Sequence, residues 1–422
     1  MIDFYYHNHH RVNNSWIPET KESYDDVYMK SVLLNTYHIE FMKMETSPPE
    51  LDATEHQSGT LIKPNLIDFL NATGGNPKPI TTLVPESNNG VLIIYFNSLF
   101  NCKLKQLDQI LNYDGHIIID DTFEPCLTRV MAAKEWLEEL GYDLNNITFW
   151  TNVPDYDNNI DINSRVIRHN WLHLTEYFKS SGSTIKEIED KKSLKNFDNK
   201  EKTFLYMNGH CTMQRAYILG CNVYQRLNFK KILFSYRTEI KNFQNYRSGA
   251  NILDCHDDSY KTWDYRELKG DTNDVVTVRD RFKQDWWWQK SFFNVNVETN
   301  LHYRNHKVRF ISEKWMKGIL YYTPSFNIGD YNGLEEYQET LGFDNYSSIL
   351  PKQYDQTACW RSRGRQFSRA LERAQDEFAF DREIWTKCMA IADHNYHHLH
   401  DTYIPELTKL FYDTVEKVVD KS

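Results

Sequence analysis

The residues best suited by type and spacing to hold an anion are Ser312, Glu313 and Lys314, which follow the apolar approach of Phe310 and Ile311. A serine at a helix start can cap it, and an acid in the first turn suits the positive end of the helix dipole. A lysine there can reach an anion bound at the same end. A second place of this kind is Met207-Asn208-Gly209-His210, where a strand ends in a polar turn and the next helix delivers Arg215 in its opening turns. Together Arg215 and Lys314 can neutralise a diphosphate leaving group, the main electrostatic task in sugar transfer from a nucleotide. Taken alone, Glu313 and Lys314 also fit an exposed capping pair.

Transfer of a group to an acceptor hydroxyl needs a base to deprotonate it, and a carboxylate is the usual choice. Asp120, Asp121 and Glu124 stand just after a buried strand, where the side chains would face an interdomain cleft. The order of preference is Asp121, Glu124, Asp120. The alternative is that these acids cap the helix beginning near Pro125, since acids favour helix N-termini.

The run Phe292-Phe293-Asn294-Val295-Asn296-Val297-Glu298-Thr299-Asn300, followed by Arg309 to Gly329 through Ser312-Glu313-Lys314 and Pro324, resembles the donor-site signature of the α-1,3-fucosyltransferase family and its phage relatives. There the order is a strand, Glu-Asn/Thr, a short gap, Ser/Thr-Glu-Lys, a helix, and a Pro-containing strand ending in Gly. Upstream, Phe204 to Asn208 followed by Arg215 looks like that family's strand, Asn turn and phosphate-binding Arg. The likeness covers almost nothing of residues 1 to 200. It implies a GT-B-like enzyme with two Rossmann-like domains facing a cleft, a nucleotide-sugar donor, inverting transfer and no required metal or other cofactor. By the same likeness Lys314 and Arg215 would hold the diphosphate, Glu313 the ribose or sugar hydroxyls, and Glu298 with Asn300 would shape the donor pocket.

One departure is that the gap from Asn300 to Ser312 is longer and more basic than the family's short loop, carrying His302, Arg304, His306, Lys307 and Arg309. For the acceptor the resemblance leaves two options, a surface glycan or a hydroxymethylated base in phage-type DNA. In the second, Arg304, Arg309 and the run Arg361, Arg363, Arg365, Arg369 and Arg373 would contact the strand. The same arginines can equally form a solvated helix face paired with Glu372, Asp376 and Glu377. A different class of reading is a binding protein that keeps a nucleotide-sugar fold without catalysis.

Other chemical-looking features have plainer readings. Asp155-Tyr156-Asp157 matches the metal-nucleotide D-x-D pattern but sits beside Pro154 in an Asn-rich loop. His394 and His398, with His397 and His400, lack the acid and third ligand of a zinc helix and read as a packed or exposed face. Trp286-Trp287-Trp288 reads as packing at a domain seam, with stacking on a base or sugar as the alternative. The seven cysteines are scattered without a C-x-x-C pair, so reduced thiols are expected.

The elements that must position these residues follow from hydrophobic patterning. Short apolar runs at Val91–Phe96, Ile117–Ile119, Ile147–Trp150 and Arg165–Ile167, with a helix at Leu127–Leu140, alternate as an α/β unit does. A second α/β unit takes strands at Thr203–Met207, Lys231–Tyr236, Phe293–Val297 and Ser325–Ile328, with helices at Met213–Leu227 and Glu313–Tyr321. Residues 1–190 are the acceptor-side domain, with 1 to about 85 irregular. Residues 200–355 bind the donor, the charged segment Ser180–Lys202 links the two, and residues 356–422 are helices packing back across the cleft.

At 422 residues the chain fits two domains of about 150 to 200 residues each. Its 40% hydrophobic and 26% charged residues, with mean hydropathy -0.67, are globular values, and no apolar run nears the roughly 20 residues that span a bilayer. The net charge of -10 opposes non-specific attraction to phosphate backbones, although a local basic face can still bind them. Without a basic-then-apolar leader at Met1-Ile2-Asp3-Phe4, the chain is expected in the cytoplasm, that of the host cell if phage-encoded.

Overall fold

The computed structural model describes residues 2–7, 66–80, 83–87, 90–96, 104–122, 127–152, 160–184, 191–208, 213–224, 227–228, 231–236, 285–298, 311–329 and 333–421. The chain is mixed α/β with two parallel sheets, and it divides into two compact units, residues 1–179 with 407–422, and residues 180–406.

In the first unit, β1 (Phe4–His7), β2 (Lys78–Ile80), β3 (Val91–Tyr95), β4 (His116–Asp121), β5 (Ile147–Thr151) and β6 (Val166–Arg168) form one sheet in the order β2-β1-β3-β4-β5-β6, every pair parallel. β3, β4 and β5 are buried along their whole length, which is why they are apolar runs rather than alternating ones. One face is covered by α2 (Leu104–Leu111) and α3 (Leu127–Glu139), whose Ile110, Leu111, Val130 and Leu137 pack on Ile117, Ile119 and Phe149. A separate aromatic cluster joins Phe69 of α1 (Leu66–Ala72), Trp150, Trp171 of α4 (Trp171–Thr184) and Phe411, with ring centroids 4.8 to 4.9 Å apart for Phe69–Phe411, Trp150–Phe411 and Trp150–Trp171.

Two of these strands fall in the stretch 1–85 that reads as irregular. Four and three residues are too short to display a period, and Pro79 breaks the second. That proline is tolerated because β2 is the edge strand, where a missing N–H removes no ladder bond on the solvent side.

The second unit holds β7 (Lys202–Asn208), β8 (Ile232–Tyr236), β9 (Ser291–Val297) and β10 (Ser325–Ile328), all parallel in the order β10-β9-β7-β8. Its helices are α5 (Lys191–Lys195), α6 (Met213–Tyr224), α7 (Asp285–Lys290), α8 (Glu313–Leu320), α9 (Leu334–Thr340), α10 (Trp360–Arg373) and α11 (Arg382–His398). A final helix, α12 (Ile404–Val419), belongs to the first unit from Leu407 onward. Thus the helices of 356–422, read from sequence as one appendage, are shared: α10 and α11 build the second unit's core through Phe367, Leu371, Trp385 and Cys388. No helix among the described residues is long and apolar enough to cross a membrane.

The segment Ser180–Lys202 is not the bare linker its composition suggests. It contains the end of α4, α5 and a turn at Phe197–Asn199. A few anchors hold its later part: Leu194 is buried, Phe197 lies edge-on to Phe292, and Trp385 Nε1 donates to Lys195 O at 2.9 Å. Lys200 is buried too, its Nζ donating to Trp288 O at 2.9 Å and lying 4.7 Å from the Trp385 ring. Burial pushes its ammonium pKa down to about 7. Between about pH 7 and the unfolded value near 10.5 the unfolded chain therefore holds the extra proton, and stability from this group rises with pH across that window. Relative to Lys200→Met, the wild-type melting temperature should climb from pH 7 to 9.5, by at most about 1.4 kcal/mol of stability per pH unit. A flat difference across that range would show that the amine stays charged.

Candidate functional site

The order β10-β9-β7-β8 reverses next to β7. The chain goes from β7 to β8 on one side, and β9 then takes the other side. In open α/β sheets the carboxyl ends of the strands at such a reversal form a ligand crevice, because connections leave in opposite directions there. β9 and its neighbours bring the candidate residues to this place.

β9 has two unlike faces. Phe293, Val295 and Val297 belong to the apolar core, whereas Asn294, Asn296 and then Glu298, at alternate positions, carry polar groups of which each residue is buried. The amides are linked in a chain along paired positions of β9 and β10. Asn294 Nδ2 donates to Ser325 Oγ at 3.2 Å and to Asn296 Oδ1 at 3.1 Å. Asn296 Nδ2 donates to Asn327 Oδ1 at 2.7 Å. Asn327 Nδ2 continues to Glu335 Oε1 at 3.4 Å, and Lys352 Nζ closes on the same oxygen at 2.8 Å. Asp355 Oδ2 accepts from Glu335 N, and its backbone carbonyl accepts from Gly333 N. Burial, followed by the Glu335 charge, pushes the Asp355 carboxyl up to about 7.

At the end of this polar face Glu298 is 2% exposed. Its Oε1 accepts from Ser312 N at 3.1 Å and Ser312 Oγ at 2.8 Å. Ser312 in turn caps α8, accepting from Lys314 N at 3.3 Å, and Lys314 Nζ lies 3.0 Å from Ser312 Oγ and 3.6 Å from Glu298 Oε2. Lys314 remains partly exposed. The carboxylate thus fixes both the helix start and the ammonium beside it. Gly329 closes the far side, since a Cβ there would meet Glu298 Cγ at 3.3 Å.

Arg215, the third residue of α6, is 3% exposed and donates from Nε to Val297 O at 3.1 Å, one residue before Glu298. The first turns of α6 and α8 therefore both bring a cation to the end of β9. Asn208 ends β7 and Glu313 opens α8, with side chains outside the described residues, as are Asn300, Arg304 and Arg309 altogether.

Arg363 is placed differently from its sequence reading as a contact for an anionic acceptor. It is 1% exposed, and it donates from Nη2 to Gly329 O at 2.8 Å and from Nη1 to Thr357 O and Ala358 O at 2.8 and 3.2 Å. The residue order of α10 explains this. Arg363, Gly364, Phe367 and Leu371 share the buried face, with Gly364 so close to α6 that a Cβ would meet Ile218 Cδ1 at 2.5 Å, while Arg361, Arg365, Arg369 and Arg373 share the exposed one. Burial of an arginine at that register, together with the polar alternation Asn294-x-Asn296-x-Glu298, is the signal a period count along each element would have found.

In the first unit Asp120 and Asp121 end β4, both buried. Asp120 is a capping group: Oδ2 accepts from Leu66 N, the first residue of α1, at 3.2 Å, and Oδ1 accepts from Thr122 N and Oγ1 at 3.0 and 2.7 Å. Asp121 points to the opposite face, with Thr151 as its partner on β5, and Glu124 lies outside the described residues, as do Asp155 and Asp157.

His398 Nε2 lies 2.8 Å from Leu341 O and stacks with His394, and Trp288 lies face to face with Tyr321 at 4.6 Å. Trp287 is buried, and the Trp286 side chain lies outside the described residues. Cys221, Cys359 and Cys388 are free thiols. Comparison with protein-family models, curated proteins and solved structures returns no match to this chain.

α8 reaches its position through Gly318, where a Cβ would stand 2.1 Å from Ser325 Oγ. Gly318→Ala should destabilise by about 1–3 kcal/mol through overpacking. Because the next atom is Thr323 O at 3.2 Å, adding Ser325→Ala should restore a large part of that loss, as read by chemical denaturation. Additive losses would place the clash elsewhere.

Proposed function

We propose that the second unit binds the diphosphate of a nucleotide-sugar and that the chain is an inverting glycosyltransferase. The observation that carries this reading is the convergence of Arg215 and Lys314, each in the first turn of its helix, on the carboxyl end of β9 where the strand order reverses. Helix N-termini at such a position present backbone N–H groups and the positive end of the dipole to phosphate oxygens. The resemblance of Phe292–Gly329 to the α-1,3-fucosyltransferase donor signature supports the same assignment, and the finer architecture, a GT-B-like pair of Rossmann-like domains, belongs to this proposal.

In the reaction the acceptor oxygen attacks the anomeric carbon as the bond to the diphosphate breaks. The electron pair leaves with the phosphate, so negative charge grows on its oxygens. Arg215 and Lys314 stabilise that charge in a site where Glu298 has already fixed the ammonium, so little rearrangement is needed as the bond breaks. A carboxylate takes the acceptor proton. Asp121 is the choice for this role, since Asp120 is committed to capping α1. Acceptors of the reading are a glycan hydroxyl or a hydroxymethylated DNA base.

Incubation with a panel of nucleotide-sugars should release free nucleotide from one of them. The matching nucleotide at 100 times its dissociation constant should add about 2.7 kcal/mol of stability in a thermal shift. Nucleotide binding without release would leave a non-catalytic binding protein, and no shift with any nucleotide would overturn the donor site. By calorimetry Lys314→Ala should weaken nucleotide binding about tenfold or more, equivalent to about 1.4 kcal/mol. Arg215→Lys should do likewise because an ammonium loses the guanidinium fork. Asp121→Asn should abolish turnover with nucleotide affinity retained.

A further inference from the structure

The exposed side of α10 carries Arg361, Arg365, Arg369 and Arg373 at intervals of four residues, a row inclined to the helix axis that rises about 6 Å and winds about 40° at each step. Arg373 is paired, with Glu377 at 2.9 Å. Among the described residues Arg361, Arg365 and Arg369 form no ion pair, Arg361 lying instead over the Trp360 ring at 5.4 Å. The solvated-face reading, in which Glu372, Asp376 and Glu377 neutralise the row, therefore holds at one end alone. Like charges four residues apart destabilise a helix, and this row has three such steps, 361 to 365, 365 to 369 and 369 to 373. In a chain of net charge -10, five arginines and one glutamate in fourteen residues is a local inversion of sign. At physiological salt, charges more than about 8 Å away are largely screened, so the ridge presents its own field to a partner.

We infer that this face of α10 is a docking surface for the phosphodiester backbone of duplex DNA. The guanidinium fork matches phosphate oxygens bidentately, and a row of regularly spaced forks suits a regularly spaced row of phosphates. An anionic membrane is a poorer fit, because interfacial helices bury an apolar face in the lipid, whereas the apolar residues of α10, Phe367, Ala370 and Leu371, are buried within the second unit. A single strand is a poorer fit as well: it is gripped by aromatic platforms for its bases, and Trp360 is already held edge-on to Tyr217 at 5.1 Å and covered by Arg361. The opposite face of the same helix holds Gly329 O through Arg363. Taken with the sugar transfer proposed above, on which this clause alone rests, the ridge makes a DNA-borne hydroxyl the acceptor.

The test is fluorescence anisotropy of the full chain with a labelled 20-base-pair duplex of arbitrary sequence, titrated from 50 to 300 mM salt. Binding should weaken steeply with salt. The variant R361Q/R365Q/R369Q should flatten the logarithmic salt slope by about 2.7, three contacts at about 0.9 each. Its melting temperature should equal or exceed that of the wild type, since like-charge steps are removed, and its nucleotide affinity should be unchanged. Absence of duplex binding at 50 mM salt, an unchanged slope in the variant, or tighter binding to an unpaired 20-mer or to phosphatidylserine vesicles would overturn the assignment. Nucleotide binding is measured separately, so failure of the ridge and failure of the donor site give different results.

Discussion

The carboxylate of Glu298 is the interaction on which the candidate site depends. A charged group that is 2% exposed is costly unless it is paired and hydrogen-bonded, and here one oxygen receives both donors of Ser312 while the ammonium of Lys314 stands close to the other. Each of these contacts has a second effect. The bonds to Ser312 set where α8 begins, and that serine's own oxygen faces the first turn of the helix. The lysine is held at the same helix end rather than left to sample solvent. Pre-arrangement of this kind matters more for handling a developing charge than the presence of a cation alone, since a group already in place need not reorganise.

The rest of the second unit can be understood as support for that carboxylate. Arg215 ties α6 to the carbonyl of the preceding residue, and Arg363 ties the end of β10 to the start of α10. Glycines allow the close approaches, Gly318 for α8 against β10 and Gly364 for α10 against α6. The interior amides of Asn294, Asn296 and Asn327 pin β10 to β9 in one register, so that Ile328 and Gly329 arrive opposite Val297 and Glu298. Leaving any one of them buried without its partner costs about 1–3 kcal/mol, which makes a slipped pairing expensive.

How far all this is legible in the sequence depends on the physical signal of each element. The strands at Val91, Ile117, Ile147 and Thr203 announce themselves as apolar runs, those at Phe293 and Ser325 by alternation of apolar and polar residues, and the helix starting at Glu313 by its serine and acid, because burial and capping leave marks within a few residues. The short strands at Phe4 and Lys78 do not, since their pairing is decided by β3 and by each other. The segment before β7 reads as a linker because Leu194, Phe197 and Lys200 are too few to make a pattern, yet their partners lie far along the chain at Phe292, Trp288 and Trp385. Composition is blind to such distant partners. Arg363 reads like its neighbours for a related reason: the residue type is identical, and only its helical phase separates a buried clamp from an exposed ridge.

The line of amides inside the sheet has a further consequence. A Phe or Val on the other face of β9 can be exchanged for a similar shape at modest cost, one position at a time. An asparagine in the line cannot, because Asn296 and Asn327 each accept from one neighbour and donate to the next while Asn294 donates to two, and a single replacement strands its partners in a dry interior. Change along this face would have to be concerted, across two strands at once. The two sides of one strand therefore differ in how they can drift over generations, with the apolar side free to wander and the polar side held as a sentence whose words make sense only together.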